Sequence, residues 1–376
     1  MRYEIDLACG RLTIDTCKEG VPLAGLLGFA TRCNPKRGFL FVSKVLGKHI
    51  PCRPSHMRGI YDRLAESLRM VPGPVLVMGM AETATGLGGG VADSLTLKRN
   101  AAADVIYQHT TRHAVQAAVL VRFDEAHSHA PDHIVYAPQP GLARRYHNTE
   151  TLVLVDDEIT TGRTLMRLAE AMIPHLPKLK GIVFASIVNW LDAGRATEIR
   201  ERLCLPLSLV SVLEGQFSFA PNPDFRAELP GQVIARRTAE VRGDTGRCGI
   251  RVGVGYKPLP RPPALVRNRP VYVIGTGELG YQPFLLAERL EELGYDIHYQ
   301  SSTRSPILPG GAIAASLSCG DEHGEGVTNY LHNPPPPGAQ VLVVYEAPHC
   351  AYNHDLPERL GAMPVILPDC DRRTSV

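Results

Sequence analysis

The segment 152–164, LVLVDDEITTGRT, gathers chemically capable residues more densely than any other part of the chain. An apolar run of the kind that forms a buried parallel strand ends at two adjacent acids, Asp156 and Asp157, followed by Glu158. Parallel strands deliver ligand groups at their carboxyl ends, and paired carboxylates there can accept hydrogen bonds from two neighbouring sugar hydroxyls. Thr160, Thr161, Gly162, Arg163 and Thr164 add hydroxyls and a tight turn whose N–H groups can converge on a phosphate. In 165–173, LMRLAEAMI, apolar residues at 165, 168, 169, 172 and 173 give the next helix a buried face, so its positive N-terminal end meets the same phosphate. A plain acidic turn with a helix N-cap would need one Asp or Thr, not the whole string.

Other polar clusters lie upstream. The stretch 79–90, GMAETATGLGGG, follows the apolar run 74–80; its glycines allow close backbone approach, with Gly79 and Gly86 shaping the loop. A flexible turn that merely joins strand to helix is the weaker alternative, given the string at 152–164. Thr111 and Arg112 stand in YQHTTRH, and 122–133, RFDEAHSHAPDH, is rich in imidazole and carboxylate. There His127 or His129 could move a proton, His127, His129 and His133 could hold a metal, or the whole could be a solvated surface loop. Nine cysteines, an odd number with no CxxC pair, suggest neither a disulfide framework nor a zinc site.

These groups need a frame. Runs at 74–80, 151–155, 182–188 and 207–213 alternate with helical stretches, which indicates an open α/β sheet. Before it, 1–58 reads as short strands and turns forming a hood. The Gly-, Pro- and Arg-rich stretch 243–268 reads as a linker, which divides the chain into 1–242, 243–268 and 269–376. After the linker the α/β grammar restarts with VYVI at 271–274 and a helix at 283–293, with Pro283 in its first turn and Gly294 at its stop. GMAET at 79–83, YQHTTRH at 107–113, FDEAH at 123–127 and VLVDDEIT at 153–160 match GTGEL, YQSSTRS, GDEHG and VLVVYEAP at 275–279, 299–305, 320–324 and 341–348, in the same order. We read this as a degenerate internal repeat. It also accounts for GTGELG at 275–280 without a dinucleotide, since no acid ends the next strand.

Composition agrees with a soluble globular protein: 376 residues, 44% hydrophobic, 21% charged, net charge +2. Basic residues are dispersed, so no DNA-binding footprint is present. No apolar run is long enough to cross a membrane and MRYEIDLACG lacks a signal-peptide core, so a cytoplasmic location is expected.

The string 152–164 resembles the signature of the type I phosphoribosyltransferases. That resemblance implies that Asp156 and Asp157 hold the ribose hydroxyls of 5-phosphoribosyl-1-pyrophosphate (PRPP) and serve its metal. It implies that Glu158 and Thr160 to Thr164 line the 5-phosphate site, and that Glu82 and Thr83 contact pyrophosphate-bound Mg²⁺ or its waters. Arg112 would neutralise the departing pyrophosphate, and 122–133 would be a mobile flap bearing the acid–base candidates His127 and His129. Over almost the whole chain the order of pieces is similar to a bacterial two-part family associated with tellurite-resistance and stress-response gene clusters. In it an orotate-phosphoribosyltransferase-like domain precedes a TRSP domain, named for the tetrapeptide that stands here as Thr303, Arg304, Ser305 and Pro306.

The expected fold is therefore a type I phosphoribosyltransferase-like open parallel sheet with a hood, followed by a second, degenerate α/β domain of the same kind. The expected reaction is Mg²⁺-dependent transfer to a small, base-like acceptor in a pathway making a nucleotide-like metabolite. A homo-oligomer and co-operonic biosynthetic enzymes are the expected partners. A PRPP- or nucleotide-binding sensor, and a nucleotide hydrolase or phosphorylase, are the alternatives. The second copy reads VLVVYEAP where the first reads VLVDDEIT, so catalysis there is not expected. Its Glu278, Arg304, Ser305, Asp321, Glu322 and His323 could bind an anion or the acceptor or supply a flap, while packing and dimerisation explain them equally well.

Overall fold

The computed structural model describes residues 1–32, 37–99, 104–123, 133–226, 240–253 and 264–368. They form two compact units, one from the described parts of 58–212 and 239–259, the other from those of 1–57, 213–238 and 260–367. Among the described residues no helix is long and apolar enough to cross a membrane.

The first unit holds the expected sheet. Its strands run in the order Leu207–Pro221 (by its first residues), Gly181–Asn189, Thr151–Ile159, Val75–Gly79, Val105–His109, Ile250–Arg251. Strands 75–79, 105–109, 151–159 and 181–189 are parallel, and all five residues of 75–79 and of 105–109 are buried. Burial along their whole length suits strands covered on both faces, and 75–79 is apolar throughout. Helix Thr85–Arg99 covers one stretch and helix Arg163–Met172 another, the latter burying Leu165, Met166, Leu168, Ala169 and Met172.

The glycines of 79–90 owe much of their presence to packing. Helix 85–99 begins before most of them, and a Cβ on Gly88 would stand 2.8 Å from the Gly79 Cα. One on Gly90 would lie 2.2 Å from the ring of Tyr61, which is fully buried. Helix propensity favours alanine over glycine by about 1 kcal/mol, but a buried ring in a packed core has nowhere to go. We expect Gly90→Ala to destabilise this unit by about 2 kcal/mol, read from the denaturant midpoint of Trp190 fluorescence. A rise in the midpoint would mean that the ring yields.

In the second unit, strands Arg2–Leu7 and Gly10–Glu19 pair antiparallel, and Leu213–Pro221 of the long strand pairs antiparallel with 10–19. The hairpin Leu27–Thr31/Phe39–Ser43 packs with the C-terminal domain: Ala30 and Val42 form one apolar cluster with Ile307 and Ile313. Backbone bonds join Cys52 to Tyr299 (2.9 and 2.8 Å), and buried Lys48 donates to Gly277 O (2.9 Å) and Ser301 Oγ (3.0 Å). The hood residues are thus part of the same compact unit as 260–367, a difference from the expected division. The described part of the expected linker is also structured. Ile250–Arg251 adds an antiparallel strand to 105–109, and Arg247, 2% exposed, donates to Thr111 Oγ1, Thr245 Oγ1 and Arg242 O.

The C-terminal sheet reproduces the core. Its parallel order, Ile297–Ser301, Val271–Gly275, Gln340–Tyr345, Met363–Ile366, matches 105–109, 75–79, 151–159, 181–189. The hydrogen bonds repeat as well: Thr110 N to Gly79 O and Ser302 N to Gly275 O, Ala81 N to Thr110 Oγ1 and Gly277 N to Ser302 Oγ. Gln108 and Gln300 each donate to a hairpin carbonyl, that of Tyr136 and that of His332. One detail of the sequence match is corrected. Gly79 pairs with Val155 and Gly275 with Val344, so Tyr345 and Glu346 stand at the places of Asp156 and Asp157, one residue on from the text alignment. The error arose because the VLV triplets align most simply by letter, whereas the sheet aligns them by their pairing with the central strand.

Candidate functional site

Strands 75–79 and 151–159 are neighbours whose chains leave in opposite directions, through helix 85–99 to 105–109 and through helix 163–172 to 181–189. Such a reversal opens a crevice at the carboxyl ends of the two strands, where open α/β sheets bind ligands. Pairing between them stops at Val155↔Gly79, while on the other side strand 151–159 stays paired as far as Ile159↔Asn189. The strand therefore runs four residues beyond the expected end at 155, and Asp156, Asp157 and Glu158 sit half-buried above the crevice.

Local bonds organise these acids. Asp156 Oδ1 accepts the Asp157 N–H (3.0 Å), and Thr160 donates its hydroxyl to Glu158 Oε1 (3.1 Å). Gly162 takes the left-handed conformation (φ 65°), and a Cβ there would stand 2.8 Å from Ile199 Cδ1. It is also the N-cap of helix 163–172 and offers no side-chain cap, while Arg163 N donates to Thr161 Oγ1 at 3.5 Å. Thr161 and Arg163 are exposed and Thr164 is half-buried, so the turn presents hydroxyls, N–H groups and a guanidinium to solvent.

The loop after strand 75–79 closes tightly on the other wall. Met80 N donates to Val155 O (2.9 Å), Ala84 N to Met80 O (2.9 Å), and the Ala81–Glu82 peptide is cis. Glu82 and Thr83 are half-buried at the loop's tip. Thr110, which sequence reasoning passed over, fastens the loop: its Oγ1 accepts the Ala81 N–H (2.9 Å) and lies 3.1 Å from His133 Nδ1. The equivalent bond from Gly277 to Ser302 was the available signal, since both sit in the repeated YQ-x-[ST]-TR segment. Arg112 reaches His133 Nε2 (3.3 Å), and that ring stacks on Phe123 at 5.1 Å. Arg195, also unforeseen, donates to Thr161 O (3.3 Å). His127 and His129 lie outside the described residues.

In the C-terminal domain the candidates hold one another. Asp321 accepts four backbone N–H groups, from His323, Glu325, Gly326 and Val327 (2.8–3.1 Å), which makes it the organiser of its loop. Arg304 pairs with buried Glu325 at 2.6 Å. Glu322 Oε2 accepts from Asn329 (3.2 Å), Ser305 O accepts from His332 (2.9 Å), and Glu278 is buried. Tyr345, at the place of Asp156, is buried with its hydroxyl 2.8 Å from His354 Nδ1. Burial raises its pKa well above the usual phenol value.

The sequence model of the phosphoribosyl transferase family matches residues 26–216, half of the chain, and a second model, the TRSP domain C-terminal to that transferase, matches 260–356. The chain belongs to the phosphoribosyl transferase family. It is an enzyme of that class, with an α/β transferase domain followed by a TRSP domain. Among solved structures it is similar to the adenine phosphoribosyltransferase of Giardia lamblia complexed with 9-deazaadenine, at 18% identity over 52% of this chain and 97% of that one (TM-score 0.37). It is also similar to the Trypanosoma brucei enzyme in complex with AMP, pyrophosphate and ribose-5-phosphate (13%; 50% and 77%; 0.36). A third is the orotate phosphoribosyltransferase of Francisella tularensis (16%; 42% and 66%; 0.27). No curated protein matches the chain.

Proposed function

We propose that the enzyme transfers the 5-phosphoribosyl group of PRPP, with Mg²⁺, to a nitrogen of a base-like acceptor in the cytoplasm. The observation that carries this reading is the placement of 156–164 at the reversal between strands 75–79 and 151–159, with both carboxylates and the phosphate turn above one crevice. Breaking the anomeric bond builds positive charge on the sugar and negative charge on pyrophosphate. Asp156 and Asp157 would accept the ribose hydroxyls and stabilise the sugar. The first-turn N–H groups of helix 163–172, with Thr161 and Thr164, would hold the 5-phosphate. Glu82, Thr83 and Arg112 would face the pyrophosphate. Carboxylate oxygens suit a hard cation, so the half-buried Asp156, Asp157 and Glu82 are the candidates to hold Mg²⁺, directly or through water. When bound, the ion would neutralise pyrophosphate charge. A homo-oligomer and co-operonic enzymes remain part of the proposal.

Calorimetry with PRPP and Mg²⁺ tests the donor half. Two lost hydrogen bonds to a charged phosphate are together worth about 3 kcal/mol or more, so Thr161→Leu with Thr164→Leu should weaken PRPP at least about a hundredfold. Neither side chain is in the core, so the fold should stand. Unchanged affinity would sink the assignment. Incubating labelled PRPP with a panel of bases and measuring pyrophosphate release would then separate transfer from mere binding.

A further inference from the structure

The C-terminal domain gathers three ligating side chains that sequence spacing does not advertise. His323 comes from the hairpin Ser316–Cys319/Asn329–His332, and His349 and Cys350 from the helix Pro348–Asn353 that follows strand 340–345. Their ligating atoms all lie within 4.8 Å of one another. Cys350 Sγ is 3.7 Å from His323 Nδ1 and 3.5 Å from His349 Nε2. A tetrahedral ion with metal–sulfur and metal–nitrogen bonds of about 2.3 and 2.05 Å separates its S and N ligands by about 3.6 Å, so both distances already fit a shared ion.

The surroundings favour this use. Glu322 Oε1 lies 3.7 Å from the other nitrogen of His323, beyond a hydrogen bond but on the side from which a carboxylate would orient a metal-binding imidazole. The four N–H bonds accepted by Asp321 hold the loop that carries His323. Cys350 is fully buried, His323 half-buried and His349 exposed, so a fourth position can open toward solvent. The second such group, Cys319, His354 and Asp355, is more committed. Its Asp355 accepts the Gly320 N–H and pairs with Arg359 at 2.7 Å, and its His354 already meets Tyr345.

The repeat says where in the fold this site lies. Counting on from the shared register, His349 and Cys350 stand where the first copy has Thr160 and Thr161. The pairings Phe123↔His133 and Cys319↔Asn329, each enclosing nine residues, move the match of FDEAH with GDEHG back by one place, so His323 counts to the sequence position of His127. We infer that the second domain has exchanged the sugar-phosphate site for a transition-metal site, in which His323 Nδ1, His349 Nε2 and Cys350 thiolate bind a borderline-soft divalent ion of the zinc class. In the proposal the threonines of the turn after strand 151–159 would serve an anion, and the imidazoles and thiolate of the second copy would serve a cation.

The test uses the full chain, stripped with a chelator and titrated with Zn²⁺ against a chromophoric competitor, then separately with Co²⁺. One equivalent of Zn²⁺ should bind, and Co²⁺ should show a thiolate-to-metal charge-transfer absorption. His349→Ala removes a ligand from the surface without disturbing the core and should weaken Zn²⁺ at least about tenfold. His323→Gln should do the same, and Cys350→Ser should erase the charge-transfer absorption. Substoichiometric zinc in the wild-type chain, or unchanged affinity in His349→Ala, would overturn the inference. No readout involves PRPP or turnover, so failure here and failure of the transferase reading are separate results.

Discussion

Replacing Asp156 and Asp157 together with asparagine is expected to lower PRPP-dependent turnover by at least about a thousandfold, because removing one preorganised electrostatic group typically costs about 10²–10³. The two effects are not expected simply to multiply, since in the proposed complex both carboxylates would act on one sugar. Asparagine keeps the shape, and its carbonyl can still accept the Asp157 N–H that Asp156 Oδ1 accepts now, so strand 151–159 should keep its pairing with 181–189. In the proposed complex the variant would lose negative charge beside the anomeric carbon. The register supplies a matched control: Tyr345 occupies the equivalent place in the second copy, and Tyr345→Phe should leave turnover within about twofold, the loss of its bond to His354 being a local matter of stability. Steady-state pyrophosphate release measures both. Activity within tenfold of wild type in the double asparagine variant would remove these carboxylates from the chemistry.

The legible part of the molecule was the part written in contiguous residues. Apolar runs followed by acids or glycines announced strands 75–79, 151–159 and 271–275, since a buried parallel strand has to be apolar along its length. The repeat announced the second sheet, because YQ-x-[ST]-TR carries its own hydrogen bonds: the Gln to a hairpin carbonyl and the Thr or Ser to the loop after the central strand. Long-range partnerships were hidden. Nothing in KHIPC indicates that Lys48 will be buried against Gly277 and Ser301, or that Cys52 will pair with Tyr299, so the hood read as belonging to the first sheet alone. His323 was already a candidate, but its grouping with His349 and Cys350 stayed hidden for the same reason, as a cysteine 27 positions from its histidine has no motif. The glycines after residue 85 misled in the other direction: a small residue near a ligand loop looks like room for the ligand, and here much of that room belongs to Tyr61 and Gly79.

The stretch 243–268 reads as a linker by composition, but its described residues 243–253 pack on the sheet, and they yield the second large effect. Glycine and proline density signals a linker when no partner is known, yet the same glycines permit the positive φ values of Gly246, Gly249 and Gly253 that wrap 243–253 against strand 105–109. Arg247 is the anchor. Its guanidinium donates to Thr111 Oγ1 (3.3 Å), Thr245 Oγ1 (2.9 Å) and Arg242 O (3.0 Å), and its own carbonyl accepts from Gln108 Nε2 (2.8 Å). Arg247→Met keeps the length of the stem and the backbone bond while removing the charged donor. Its three acceptors would lose that donor in a dry site, a cost of about 3–4 kcal/mol. The chain has one tryptophan, Trp190, buried in this unit, so the denaturant midpoint of its fluorescence reports the loss where it occurs. A true linker residue would shift that midpoint by no more than about 0.5 kcal/mol. The larger shift would also reach the candidate site, because Thr111, which Arg247 holds, immediately precedes Arg112 and pairs with Ile134 at the base of the hairpin. Pyrophosphate-side contacts should therefore weaken with stability. A variant that unfolds as late as wild type would show that 243–253 lies on the sheet without supporting it.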